Sequence, residues 1–154
     1  MPVNRVRQYV KKYDVHLEPV EFAESTSTVE EAAQVLGVEP AQIAKSILFR
    51  AKDQFGLFVT AGDVRVNLKK VKTLLGGKPK MATPEEVEEV TGFRVGGVCP
   101  FDLKQDLPIF LDESMKRFDI VYAAAGSPRS ALPITFEQLQ AVTGGTVVNV
   151  QAAE

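Results

Sequence analysis

Ala41-Gln42-Ile43-Ala44-Lys45-Ser46-Ile47-Leu48-Phe49-Arg50 places one lysine at the head of a short apolar run that reads as a buried strand. Asp53-Gln54-Phe55-Gly56 is a turn signal, and Leu57-Phe58-Val59-Thr60-Ala61 resumes as a second strand, so the two runs read as a hairpin. Lys45 is the odd residue. From a strand head its long stem can carry the ammonium out to solvent, or the ammonium can point into a cleft and meet an anion. This stretch alone leaves both open.

The chain of 154 residues has the length of one ordinary domain and is read as a single domain over residues 1–154. A domain of that size buries about 70% of the surface its unfolded chain exposes, so no disulfide or metal is needed to hold it. A net charge of −2 advertises no polyanion partner, yet 18 basic residues can cluster on one face. Arg5, Arg7, Lys11 and Lys12 form one basic cluster, and Lys69, Lys70, Lys72, Lys78 and Lys80 the other. A single cysteine, Cys99, and a single histidine, His16, remove most metal and disulfide readings, and no metal or other cofactor is expected. A Ser-His-Asp triad would have to use His16. No apolar run approaches the roughly 20 residues of a membrane span, and the N-terminus lacks the apolar core of a secretory signal. The expected location is the cytoplasm.

Taken in order, residues 4–12 carry Val6, Tyr9 and Val10 at helical spacing, and Val15 to Val20 alternate as a strand does, with His16 on the exposed phase. A pattern then occurs three times, over Thr28–Gly37, Thr83–Gly92 and Thr135–Gly144. In each, a threonine can cap a short helix, Glu31, Glu86 or Gln138 three residues later completes a capping box, and the glycine suits the turn after the end. The segments between them show no matching pattern, so this is not a repeat architecture. Residues 67–75 place Leu68, Val71, Leu74 and Leu75 at helical spacing with Lys69, Lys70 and Lys72 on other faces. Those lysines are either a solvated face or a contact for RNA.

Phe93-Arg94-Val95-Gly96-Gly97-Val98-Cys99-Pro100 carries two adjacent glycines, which let another group approach backbone amides closely. Such a loop can bind a carbonyl or phosphate, or be simply a turn. Pro108–Asp112, Ile120–Ala125 and Thr146–Val150 are strand candidates, and the second runs into Gly126-Ser127-Pro128-Arg129-Ser130, a turn rich in amide and hydroxyl donors. Strands and short helices interleave without a strict βαβ rhythm. The expected fold is therefore α+β (mixed α/β): one domain with a mixed, mostly antiparallel, curved sheet and flanking short helices.

Six segments in this order resemble a known family. They are Ala44-Lys45-Ser46-Ile47-Leu48, Val64-Arg65-Val66-Asn67-Leu68-Lys69-Lys70-Val71, Met81-Ala82-Thr83-Pro84-Glu85-Glu86, Thr91 through Pro100, Leu111-Asp112-Glu113-Ser114 and Ala125-Gly126-Ser127. The chain resembles, over nearly its whole length, the YbaK/ProX domains that hydrolyse mischarged aminoacyl-tRNA and that also occur as an editing domain inserted in bacterial prolyl-tRNA synthetases.

The resemblance implies a cleft that holds the aminoacylated 3′ end of tRNA, with the family lysine on Lys45 and the family loop glycine on Gly97 as the catalytic positions. It places Phe22 at an aromatic pocket wall and Ser46, Gly96, Gly126 and Ser127 at further substrate-binding positions. It implies a deacylase acting in translation quality control, with aminoacyl-tRNA as substrate, first among them tRNA(Pro) carrying cysteine, alanine or a related small amino acid. Prolyl-tRNA synthetase is the further expected partner and a monomer the default state. An aminoacyl ester is already activated, so hydrolysis needs orientation, an oxyanion site and a nucleophile, and no triad or metal. The nucleophile would be water, the ribose 2′-hydroxyl, or the thiol of a cysteinyl substrate. Two departures speak against cysteine specificity: Cys99 stands where many members have serine, and Pro128 through Pro133 lacks the acidic residue of the cysteine-specific branch. The rival readings are a non-catalytic module for tRNA ends or nucleotides, and a small esterase unrelated to tRNA.

Overall fold

The computed structural model describes residues 2–152. In chain order the elements are α1 (Pro2–Lys11), β1 (Val20–Glu21), α2 (Val29–Leu36), β2 (Ile43–Ala51), β3 (Gln54–Ala61), α3 (Leu68–Leu75), β4 (Lys80–Met81), α4 (Pro84–Thr91), β5 (Ile109–Asp112), β6 (Val121–Ala123), β7 (Ser130–Ile134), α5 (Phe136–Thr143) and β8 (Thr146–Val148). The strands join in the open order β1-β7-β6-β2-β3-β5-β8, with β4 added beside β2. The β1·β7, β2·β3, β2·β4 and β6·β7 pairings are antiparallel, whereas β2·β6, β3·β5 and β5·β8 are parallel. This is the mixed sheet with flanking helices that the sequence implies.

The hairpin forms as expected, with its turn set earlier: Ala51 pairs with Gln54, and Lys52, at φ 57°, makes the corner. The three threonine-capped helices match their sequence pattern. Thr28, Thr83 and Thr135 each accept the backbone N–H of Glu31, Glu86 or Gln138, whose side chains accept the threonine N–H in return. Gly37, Gly92 and Gly144 close them. Alternation along β2 sends Ala44 and Leu48 to one face of the sheet and Ile47 and Phe49 to the other. On the first face Ala44, Val59 and Leu111 pack with Val6 and Val10 of α1 and Leu139 and Val142 of α5. On the second, Phe49, Phe58 and Phe110 pack under Val71 and Leu75 of α3, with the Phe58 and Phe110 rings stacked at 4.7 Å.

One stretch departs from expectation, and one strand lies where no element was expected. Val15–Pro19 is not a strand, because the chain turns: Leu17 N–H donates to the Asp14 carbonyl at 3.1 Å and His16 N–H to Asp14 Oδ1 at 2.9 Å. His16 is exposed, on a turn and not on a strand. Residues 130–134 form the strand β7 although Pro133 lies in it. Pro133 pairs with Tyr122, whereas β1 on the other side reaches only Ser130 and Ala131, so no neighbour asks for the missing N–H.

The buried carboxylate of Asp112 ties the ends of β5 and β8 together, accepting Ser114 N–H at 3.0 Å and Val150 N–H at 2.7 Å. Asp112→Ala leaves two buried donors without an acceptor and is expected to lower stability by about 2–4 kcal/mol, read as a shifted urea midpoint.

Candidate active site

Strand β2 has a neighbour on its outer edge at both ends and none between. β6 pairs with Ile43 and Ala44, and β4 with Phe49 and Arg50, while the Leu48 carbonyl accepts Ala82 N–H at 3.0 Å. Lys45, Ser46 and Ile47 are left as an unpaired edge. Ladder alternation puts the N–H and C=O of Ser46, in phase with Leu48, on that open side. The gap is the floor of a cleft of about 590 Å³. Its apolar wall is Ala44, Leu48, Val87, Val98 and Ala124; Thr26, Ser27, Lys45 and Ser46 supply polar groups, and Gly96 closes one side.

The structure therefore selects between the two readings of Lys45: it lines the cleft, half-buried. Its ammonium donates to the Val64 carbonyl at 3.4 Å and forms no ion pair among the described residues. Asp63, the carboxylate nearest in sequence to Val64, is already held by Arg117 at 2.6 and 3.1 Å. That bidentate pair holds the Asp63 carboxyl below its ordinary range and raises Arg117. The result is a tethered cation in a cleft with no carboxylate among its lining residues.

Gly96 and Gly97 play different parts. Gly96, at φ 97°, faces the cleft, and a Cβ there would lie 3.1 Å from Ser27 Cβ. Gly97 is buried behind it, and a Cβ would lie 2.7 Å from the Gly126 carbonyl carbon and 2.8 Å from Ser127 N. Only a residue without a side chain permits that contact. The Gly97 carbonyl accepts Gly126 N–H at 3.1 Å, and Gly97 N–H donates to the Arg94 carbonyl at 2.9 Å. The Gly97 amide is thus engaged in its own turn. The amides of Gly96 and Val98 on either side donate to nothing among the described residues.

Gly126 and Ser127 back this loop instead of lining the cleft, and their turn is stapled by a residue that sequence reading passed over. Ser130, buried, accepts the Ala125 and Ser127 amides at 3.3 Å and donates to the Ser127 carbonyl at 3.0 Å. Its backbone N–H and carbonyl both meet the Thr26 hydroxyl, at 3.0 and 3.1 Å. Thr26 in turn lines the cleft. Phe22 lies outside the lining, half-buried, with its N–H donating to the Arg129 carbonyl at 2.8 Å.

Cys99 lies directly behind the loop, fully buried, and burial pushes its thiol up to about 12. It is a core residue and no nucleophile. No group of three or more His, Cys, Asp or Glu side chains suited to a metal occurs among the described residues. No helix among them is long and apolar enough to cross a membrane.

The aminoacyl-tRNA editing domain matches residues 23–142. The chain belongs to that family. By that membership it is an aminoacyl-tRNA deacylase, and the family residues span both walls of the cleft. YwhH of Bacillus subtilis, a protein described as uncharacterized, is 42% identical over 140 residues, which is 90% of this chain and 89% of that one. A proline–tRNA ligase of Bacillus licheniformis is 36% identical over 132 residues, 79% of this chain but only 23% of the ligase. A crystal structure described as that of a candidate trans-editing enzyme for prolyl-tRNA synthetase superposes with a TM-score of 0.92 at 39% identity, covering 99% of this chain and 98% of that one.

Two measurements check the electrostatics of this editing domain. Cys99 should resist iodoacetamide in the native protein at about pH 8 and react only on unfolding. Asp63, with its pKa lowered, contributes stability above its unfolded value and loses it as pH falls through the folded one. Asp63→Asn should therefore lose less stability than the unsubstituted protein between about pH 4.5 and 2.5, read by thermal melts.

Proposed function

We propose that this chain is a free-standing editing hydrolase that removes a small amino acid from mischarged tRNA(Pro), with alanine and cysteine as the first candidates. The observation that carries the reading is the tethered, unpaired Lys45 ammonium beside the open edge at Ser46, in a cleft with a largely apolar wall. The small-residue wall of Ala44 and Ala124 favours a short side chain, and the likeness to proline–tRNA ligases favours tRNA(Pro). The departures at Cys99 and at residues 128–133 favour alanine over cysteine.

In this reading Lys45 takes the terminal phosphate or ribose and fixes the ester over the floor of the cleft. No carboxylate lines the cleft, so the substrate α-ammonium is met by oxygen dipoles, of which the outward carbonyl of Ser46 is the nearest to Lys45 in sequence. Because Gly97 N–H is taken by Arg94, the developing oxyanion is left to the Gly96 and Val98 amides, and Gly97 acts through its packing on Gly126 and Ser127. Water, or the ribose 2′-hydroxyl before it, adds to the ester carbon, the carbon–oxygen bond to the ribose breaks, and the ribose oxygen takes the proton. No protein nucleophile is needed, which suits a cleft whose nearest thiol is buried. The acting species is taken to be a cytoplasmic monomer that follows prolyl-tRNA synthetase.

The test is deacylation of a panel of aminoacyl-tRNAs, Ala-tRNA(Pro) and Cys-tRNA(Pro) among them, by this protein and its Lys45→Ala variant. One species should be hydrolysed, and the variant should be slower in kcat/KM by roughly 10–100-fold, the loss of one charge-assisted contact. A panel left intact by a protein that still binds tRNA would instead make the cleft a binding module.

A further inference from the structure

Lys45 owes its freedom to a residue on another element. Its ammonium reaches the Val64 carbonyl, and residues 61–64 are a tight turn in which Val64 N–H donates to the Ala61 carbonyl at 3.1 Å. Asp63 is at the corner of that turn, and Lys45 is among the charges that lower its carboxyl. The turn has no room to retreat. A Cβ on Gly62 would collide with the Pro40 carbonyl oxygen and with Val29, so the backbone is packed hard against those residues. A carboxylate is therefore fixed next to the tether of the very cation that the cleft needs unpaired.

Arg117 occupies that carboxylate. It ends the short 3-10 helix Glu113–Arg117 after β5, which is fastened to the end of β3 by Ala61 N–H donating to Ser114 Oγ at 3.2 Å. Arg117 Nε donates to the Ser114 carbonyl at 2.8 Å, while Nη1 and Nη2 take the two Asp63 oxygens at 3.1 and 2.6 Å. Every guanidinium nitrogen is thus committed, Nε to holding the arginine in place and the others to the carboxylate. The Asp63 and Arg117 side chains are 44% and 47% exposed, so the pair adds little to stability. The further charged groups in the field of Arg117 are Asp112, already satisfied by backbone amides, and Glu39.

We propose that Arg117 is a positioning residue for the deacylase: it holds Asp63 away from Lys45 and so keeps the lysine ammonium free for the substrate. Without Arg117 the Asp63 carboxylate turns to the ammonium beside Val64, and the phosphate or ribose of the incoming ester has to compete with it. The consequence for catalysis rests on the deacylase reading, whereas the exchange of partners belongs to the folded chain alone. Taking away the carboxylate as well removes the competitor, so the double substitution is milder than the single one.

The experiment compares the full chain with Arg117→Met, Asp63→Asn and the double variant, and adds Arg117→Gln, which can still donate to the Ser114 carbonyl, should the methionine variant fold poorly. The first readout needs no tRNA: the rate at which dilute acetic anhydride acetylates Lys45, read from the mass of the peptide that carries it. An ammonium paired with a carboxylate gives up its proton less readily. Labelling should slow by roughly threefold to fivefold in Arg117→Met, the factor a partly exposed ion pair carries, and return in the double variant. The second readout is deacylation of the species that the unsubstituted protein hydrolyses. Arg117→Met should lose kcat/KM by a similar factor, mostly through KM, and the double variant should regain it, with Asp63→Asn alone within about twofold of the unsubstituted protein. A merely structural Arg117 would leave the double variant at least as impaired as the single one. That outcome in either readout overturns the proposal, as does unchanged labelling in Arg117→Met. If nothing on the panel is hydrolysed while labelling slows and recovers as stated, the deacylase reading falls and the partner exchange stands. Hydrolysis with no recovery in the double variant does the reverse.

Discussion

Everything at the site depends on the incomplete pairing of one strand. The edge of β2 is claimed by β6 at Ile43–Ala44 and by β4 at Phe49–Arg50, so both ends are rigid and the backbone between them is held extended. Its other edge is paired with β3 from Ala44 to Ala51, which keeps that backbone from collapsing into the gap. Backbone polar groups that are buried without partners are costly, so the open stretch has to stay wet or meet a ligand. A cleft with hydrogen-bonding capacity in its floor follows from the ladder itself. Lys45 adds the charge.

The wall opposite is built from two loops that touch through their backbones. Gly97 against Gly126 and Ser127 is an approach of under 3 Å for any Cβ, so the loop after α4 and the turn before β7 behave as one piece. Ser130 fixes the turn from inside, and Thr26 carries the same network to the cleft lining. The loop at residues 96–98 is thereby held from behind by a support that is itself pinned.

Much of this was legible in the residues. The capping boxes at Thr28, Thr83 and Thr135 were readable because local hydrogen bonds three residues apart decide them. Lys45 stood out because a charge at the head of an apolar run breaks the local pattern. What was not legible depends on partners far away in the chain. Pro133 hid β7, since its tolerance rests on how short β1 is. β4 is two residues long and owes its existence to the edge of β2. Ser130 is an ordinary hydroxyl until residues 26 and 125–127 are folded around it. The Gly97 amide looked available from its glycine-rich context, and only the turn to Arg94 shows that it is taken. His16 went to a turn because the Asp14 side chain offered its amide a nearer acceptor than any strand did.

The same interrupted edge bears on which molecules the protein admits. An exposed strand edge ordinarily invites another polypeptide to add to the sheet, which is the route to aggregation. Here the free stretch is Lys45 to Ile47, with β6 and β4 standing at either end as stops. A passing peptide finds no room to lay down a ladder. A single acyl group with one amino group and one carbonyl is short enough to fit between the stops. At this edge the sheet thus offers a polypeptide no ladder longer than three residues.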